Sequence, residues 1–138
     1  MLTGQQIVTD IIALLRETTL PDFIGGEIYR EGNRPRNSSA EDLVVIFTAA
    51  DAEQFQSGVV TLNIYVPDLP TGDNGVNLVN SARCEEIEAA ARDAVLSLKA
   101  SRSNYLFRLR DAIHTERDQD TDQSFVVVRL GFKHISND

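Results

Sequence analysis

GEIYREGNRPRNSSAEDLVVIFTAADAEQFQSGVVTLNIYVPD, residues Gly26 to Asp68, sets two strand-like runs around a polar Asn-Arg-Pro-Arg-Asn-Ser-Ser loop and ends a third run at Pro67. The Gly25-Gly26 pair supplies backbone freedom for a turn into a short strand, Glu27-Ile28-Tyr29-Arg30. The next stretch, Glu31 to Asp42, carries Gly32, Pro35, Asn33, Asn37, Ser38 and Ser39, which predicts an extended, exposed loop rather than a helix. It is long for a hairpin connection. Loops of this length in a compact domain are functional or disordered, and Arg34-Pro35-Arg36 gives this one stiffness and charge. Leu43 to Thr48 is apolar on both alternating sets, so both faces of that strand need cover. Val60, Leu62, Ile64 and Val66 alternate with Val59, Thr61, Asn63 and Tyr65, the period of a strand buried on one face. Pro67 and Pro70 then remove two ladder donors, which ends the strand and opens the loop Thr71-Gly72-Asp73-Asn74-Gly75.

Outward from this stretch, Thr3-Gly4-Gln5-Gln6 reads as a capping box that starts a helix. Ile7, Val8, Ile11, Ile12 and Leu15 fall on one face of it, and Thr18, Thr19 and Pro21 end it. A second helix is predicted from about Asn80 to Lys99, with Ile87, Ala91, Ala94, Val95 and Leu98 along its apolar stripe. Glu85, Glu86 and Glu88 precede Arg92, Lys99 and Arg102, the order that complements the helix dipole. Tyr105 to Glu116 and Phe125 to Ile135 read as two strands of an antiparallel hairpin joined through Arg117 to Gln123. Asp111 interrupts the apolar set Tyr105, Phe107, Leu109 and Ile113, which predicts a bulge or strand end near it. The fold class is therefore α+β in the order αβββαββ, an antiparallel sheet with two helices packed on one face.

A chain of 138 residues fits one domain, residues 1–138, and no repeat or linker divides it. That length buries roughly 65–70% of the surface of the unfolded chain. The hydrophobic share of 42% and charged share of 25% are those of an ordinary globular protein. No run is long or apolar enough to span a bilayer, and no basic start followed by an apolar stretch marks a secretory signal, so no membrane partner is expected and the host cytoplasm is the expected compartment. The lone Cys84 has no disulfide partner and sits in the second helical pattern, where a buried structural thiol is expected. A net charge of −8 opposes attraction to a phosphate backbone, so specific nucleic-acid binding is not expected. Arg outnumbers Lys eleven to two, a bias toward the planar donor that suits interfaces and fixed ion pairs.

Motifs for chemistry fail on inspection. Asp118-x-Asp120-x-Asp122 opens like a calcium loop, but Gln123 stands where Gly is needed and Arg129 where a bidentate Glu should be, so a solvated hairpin tip is expected. His114 and His134 lie on separate strands without a metal-ligand spacing. No Gly-x-Ser-x-Gly elbow and no phosphate-binding glycine loop occurs, and Pro67-Asp68 lacks the Glu-x-Lys or Asp-x-Lys that would complete a nuclease motif. No enzyme activity, cofactor or metal is expected.

The faces of the strands turned away from the core supply Thr61, Asn63, Tyr65, Arg108, Arg110, His114, Arg129 and Lys133, a basic and aromatic set in an acidic chain. One reading is a solvated face neutralised by neighbouring carboxylates, because surface ion pairs are common and weak. The other is a protein interface, since Arg and Tyr are enriched in such contacts and an acidic neighbour would cover this face. A small ligand- or nucleic-acid-binding module using the same face is the alternative function, with only Tyr65 placed to stack a base.

Gly26-Glu27-Ile28-Tyr29, Arg34-Pro35, Glu41-Asp42-Leu43-Val44-Val45-Ile46 and Asn63-Ile64-Tyr65-Val66-Pro67-Asp68, taken in this order, resemble the small tail terminator and head-tail joining proteins of tailed bacteriophages, in a prophage-borne form. The resemblance covers most of the chain in element order. It implies a non-enzymatic virion assembly protein of the host cytoplasm and the virion tail. Such a protein forms a ring, usually six-fold, that caps the finished tail tube and joins it to the head connector. It also implies that the loop from Glu31 to Asp42 is a subunit or tube contact, with Arg34 and Arg36 reaching carboxylates next door. The candidate interface is then Arg34, Arg36, Tyr65, Arg108, Arg110, Arg129 and Lys133. Arg34→Glu together with Arg36→Glu is expected to weaken the ring and leave the fold intact.

Overall fold

The computed structural model describes residues 1–70, 77–118 and 120–135. The loop expected over Thr71 to Gly75, and Gln119 in the last connection, lie outside them. At the N-terminus the capping box closes: Gln6 N–H donates to Thr3 Oγ1 at 3.3 Å and Thr3 N–H to Gln6 Oε1 at 2.9 Å. Helix α1 runs Gly4–Arg16 and buries Ile7, Val8, Ile11, Ile12 and Leu15. Pro21 then sits in the first turn of a one-turn helix, α2 (Leu20–Phe23), where its missing N–H leaves no bond unmade. Helix α3 (Ser81–Ala100) starts on Asn80, whose side chain accepts from Arg83 N–H at 3.2 Å, and buries Cys84, Ile87, Ala91, Ala94, Val95 and Leu98.

The main sheet holds β1 (Ile28–Arg30), β2 (Leu43–Ala50), β3 (Phe55–Pro67), β6 (Tyr105–Leu109), β7 (His114–Asp118) and β8 (Gln123–Ile135). Its order is β1-β2-β3-β8-β6, and β7 pairs the other half of β8. A separate two-stranded ladder joins β4 (Leu69–Pro70) to β5 (Asn77–Leu78). The molecule is thus a mixed α+β fold with three helices and a mostly antiparallel sheet. The element order is richer than the expected αβββαββ, because α2 and the β4–β5 ladder are added and the strand expected over Tyr105 to Glu116 is two strands. Its break falls between Leu109 and His114, around Asp111, and β6 and β7 pair successive parts of β8.

One pairing departs from an antiparallel sheet. β1 runs parallel to β2, with Ile28 opposite Leu43 and Arg30 opposite Val45. Parallel neighbours need a connection of a dozen residues or more to bring the chain back to its starting end. That requirement is a structural reason for the length of the loop over 31–42.

Alternate residues of the sheet, Leu43, Val45, Val60, Leu62, Ile64, Val66, Val126, Val128, Leu130 and Phe132, join the apolar stripes of α1 and α3 in one core cluster. Val44 and Val127 are also buried but lie outside this cluster, flanking Asn63 in register on the outer face. The two-sided cover expected for Leu43 to Thr48 holds at Leu43, Val44 and Val45, while Thr48 is exposed.

Candidate functional site

Strand alternation sends Ser57, Val59, Thr61, Asn63 and Tyr65 of β3 to the outer face, and register sets them against Lys133, Gly131, Arg129, Val127 and Phe125 of β8. On the other side of β8, Leu106 faces Lys133 and Arg108 faces Gly131. The predicted basic and aromatic set does share this face, but it divides into three groups with different chemistry.

At the end nearest the β7–β8 connection, Arg34 from the long loop lies over the Tyr65 ring, 4.0 Å from its centroid. Arg34 Nε donates to Asp42 Oδ2 at 2.9 Å, and Nη2 donates to Gln123 Oε1 at 2.8 Å and to the Ala40 carbonyl at 3.2 Å. Asp42 also accepts from Ser38 Oγ and, at 2.9 Å, from Glu27 N–H. Burial pushes the Asp42 carboxyl up, but the hydrogen bonds from Ser38, Glu27 and Arg34 outweigh it and hold the group below its ordinary value. Arg34 therefore has a carboxylate partner within its own chain, and its charge fastens the loop to the sheet. Arg36 is exposed and makes no hydrogen bond or ion pair among the described residues.

In the middle of the face, Arg129 Nη1 lies 2.8 Å from Asp111 Oδ2 and Nη2 lies 3.9 Å from Glu116 Oε2. His114 Nε2 is 2.9 Å from the same Glu116 oxygen, and Nδ1 is 3.0 Å from the Ala112 carbonyl. Those two acceptors, the carbonyl first, raise the His114 pKa. This middle group matches the neutralised-face reading.

The far end is different. A groove of about 530 Å³ is lined by Val59, Leu106, Arg108, Arg110, Gly131 and Lys133, among others. Among the described residues Arg108, Arg110 and Lys133 make no ion pair, and the Lys133 ammonium lies 5.7 Å from the centroid of the Phe55 ring. A methyl group on Gly131 would stand 3.1 Å from Arg110 Cδ and 3.5 Å from Arg108 Nε, so both side chains cross the strand at this glycine. Leu106 is 60% exposed and Phe55 52%, with Ile135 paired to Phe55 beside them. An apolar patch rimmed by uncompensated arginines has the composition of a protein interface core. Sequence reasoning found the cations but missed Phe55, Val59, Leu106 and Ile135. Their signal was an apolar side chain out of phase with the buried set of its own strand.

Glu41 and Asp68, like Asp42, anchor the fold. Glu41 accepts from Arg83 Nε at 2.7 Å and Nη2 at 2.8 Å, which lowers its pKa and raises that of Arg83. Arg83 also donates to the Phe23 carbonyl at 2.8 Å. Asp68, almost fully buried, takes both guanidinium nitrogens of Arg117, Nη2 at 2.6 Å. Cys84 is buried, and desolvation pushes its thiol up, away from reactivity. His134 is buried on the core face against Tyr105, ring centroids 4.7 Å apart, with no hydrogen-bond partner at Nδ1 among the described residues. Among the described residues no group of three or more His, Cys, Asp or Glu could hold a metal ion, and no helix is long and apolar enough to cross a membrane.

No protein-family model and no curated protein sequence matches this chain.

Proposed function

We propose that the chain is a non-enzymatic assembly protein of a tailed-phage virion, which associates with itself into a ring, six-fold by its resemblance, to cap the tail tube and join it to the head connector. The observation that carries an association role is the groove end of the outer sheet face, where Phe55, Leu106 and Ile135 are exposed beside Arg108, Arg110 and Lys133 and, among the described residues, no carboxylate pairs with the arginines. The runs Glu41 to Ile46 and Asn63 to Asp68 support the phage setting through their resemblance to terminator and head-tail joining proteins. An acidic chain also suits a ring through which DNA must pass without being held.

Light scattering behind size exclusion, over a range of protein concentration and salt, tests the reading. A hexamer, or a mass that climbs toward one with concentration, supports it. A strict monomer that binds an oligonucleotide or small anion saturably favours the alternative, a ligand- or nucleic-acid-binding module using this face.

A further inference from the structure

We infer that the groove over Gly131 receives the acidic β7–β8 tip of a second copy of this chain, so that copies join head to tail through Arg108 and Arg110 on one side and Asp120 and Asp122 on the other. This inference rests on the self-association proposed above and specifies its two surfaces.

Two features of the molecule carry it. The first is the pair of guanidinium side chains crossing Gly131 with no carboxylate partner among the described residues, in a groove roomy enough for a few side chains of a turn. Like charges held side by side are relieved by an anion, and a carboxylate matches the guanidinium fork. The second is the tip at the other end of β8. Asp118 spends its carboxylate inside the turn, accepting from Asp120 N–H at 3.1 Å and from Thr121 Oγ1 at 2.8 Å. Asp120 and Asp122 are exposed, and neither carboxylate has a hydrogen bond or ion pair among the described residues; Asp122 feels the charge of Arg117, whose guanidinium is already held by Asp68.

Geometry then decides between one chain and two. Tip and groove sit on the same strand, Asp122 just before β8 and Gly131 within it. At about 3.3 Å per residue the two lie roughly 30 Å apart. Charges in solution are screened over about 8 Å, so within one chain these patches neither touch nor neutralise each other. Between copies they do both. A contact that joins two different patches is heterologous, so it closes into a ring when the rotation allows. The apolar rim of Leu106 and Val59 would be covered by the same docking.

A charge swap tests the pairing. Variant one carries Arg108→Glu with Arg110→Glu, variant two Asp120→Arg with Asp122→Arg, and all four positions are exposed. Circular dichroism and thermal melts confirm that each variant is folded, and Lys133→Glu serves as a second groove variant. By light scattering at low salt, each variant alone is expected to self-associate at least tenfold more weakly than wild type, as expected when close charge pairs are reversed. An equimolar mixture should regain assembly, because each tip then meets a groove of opposite charge. Variants that assemble like wild type, or a mixture that stays dissociated, overturn the tip-in-groove contact and leave self-association through another surface standing. A wild type that remains a monomer at every concentration overturns both.

Discussion

Arg34 Nε lies 2.9 Å from Asp42 Oδ2, and the two side chains are only 13% and 2% exposed. An ion pair this enclosed is held by its full set of hydrogen bonds, and losing one partner leaves a buried charge uncompensated. It fastens the loop over 31–42 to the start of β2, to Gln123 of β8 and, through Glu27, to the entry of β1.

Reversal of Arg34 therefore acts on the fold. Arg34→Glu sets a second carboxylate against Asp42 and is expected to cost about 3–5 kcal/mol in denaturant unfolding. Arg36→Glu, at an exposed side chain without partners among the described residues, should stay within about 0.5 kcal/mol of wild type. The double reversal expected to spare the fold does not isolate the loop's role; Arg36→Glu alone does. Equal, small effects of both single changes would sink this assignment.

Acid should loosen the same region. Glu41 and Asp42 both have folded pKa values below their ordinary 4.5 and 3.8. A depressed carboxylate contributes stability above its unfolded pKa and loses it as pH falls through the folded one. Stability should thus fall at pH values under the ordinary carboxylate range, and Asp42→Asn should flatten that fall while lowering stability at neutral pH. An acid limb of unchanged steepness in Asp42→Asn would contradict the account.

His114 titrates with the opposite sign. Its folded pKa is raised above 6.5 by the Ala112 carbonyl and by Glu116. A raised histidine contributes stability below its unfolded pKa and loses it as pH climbs through the folded value. Its ring proton shifts, followed by NMR, should give an apparent pKa above 6.5, and Glu116→Gln should bring it down. The side chain is partly exposed, so the effect on stability is small. A value at or under the ordinary one would count against the contact.

Two glycines should behave oppositely. A Cβ on Gly26 would stand 2.6 Å from the Glu41 carbonyl carbon and closer still to Asp42 Oδ1, so Gly26→Ala is expected to cost roughly 2–3 kcal/mol by prising the loop from β1. The nearest atoms to a Cβ on Gly131 belong to the flexible side chains of Arg108 and Arg110, which can swing aside. Gly131→Ala should leave the melting temperature near wild type while shifting both arginines and weakening self-association. Matching losses of stability would refute the contrast.

Local signals in the chain carried most of the elements. The Thr3 and Gln6 capping box, the apolar stripe ending at Leu98, the alternation from Val60 to Val66 and the interruption at Asp111 each act over a few residues, and each appears where its spacing put it. The buried Cys84 was legible for the same reason. Hidden from the sequence were the facts that depend on residues far apart. They include the parallel pairing of β1 with β2, the addition of α2 and β4–β5, and the division of the outer-face cations. Arg34 stands in a polar loop and Arg108 and Arg129 in apolar strands, but residue type and local composition do not say which of them meets a carboxylate. Only folding brings Asp42 to Arg34 and Asp111 to Arg129 and leaves Arg108 and Arg110 over Gly131 with no carboxylate partner among the described residues. A charge is neutralised by whatever stands within a few ångströms of it, and that neighbourhood is set by strand register and loop path.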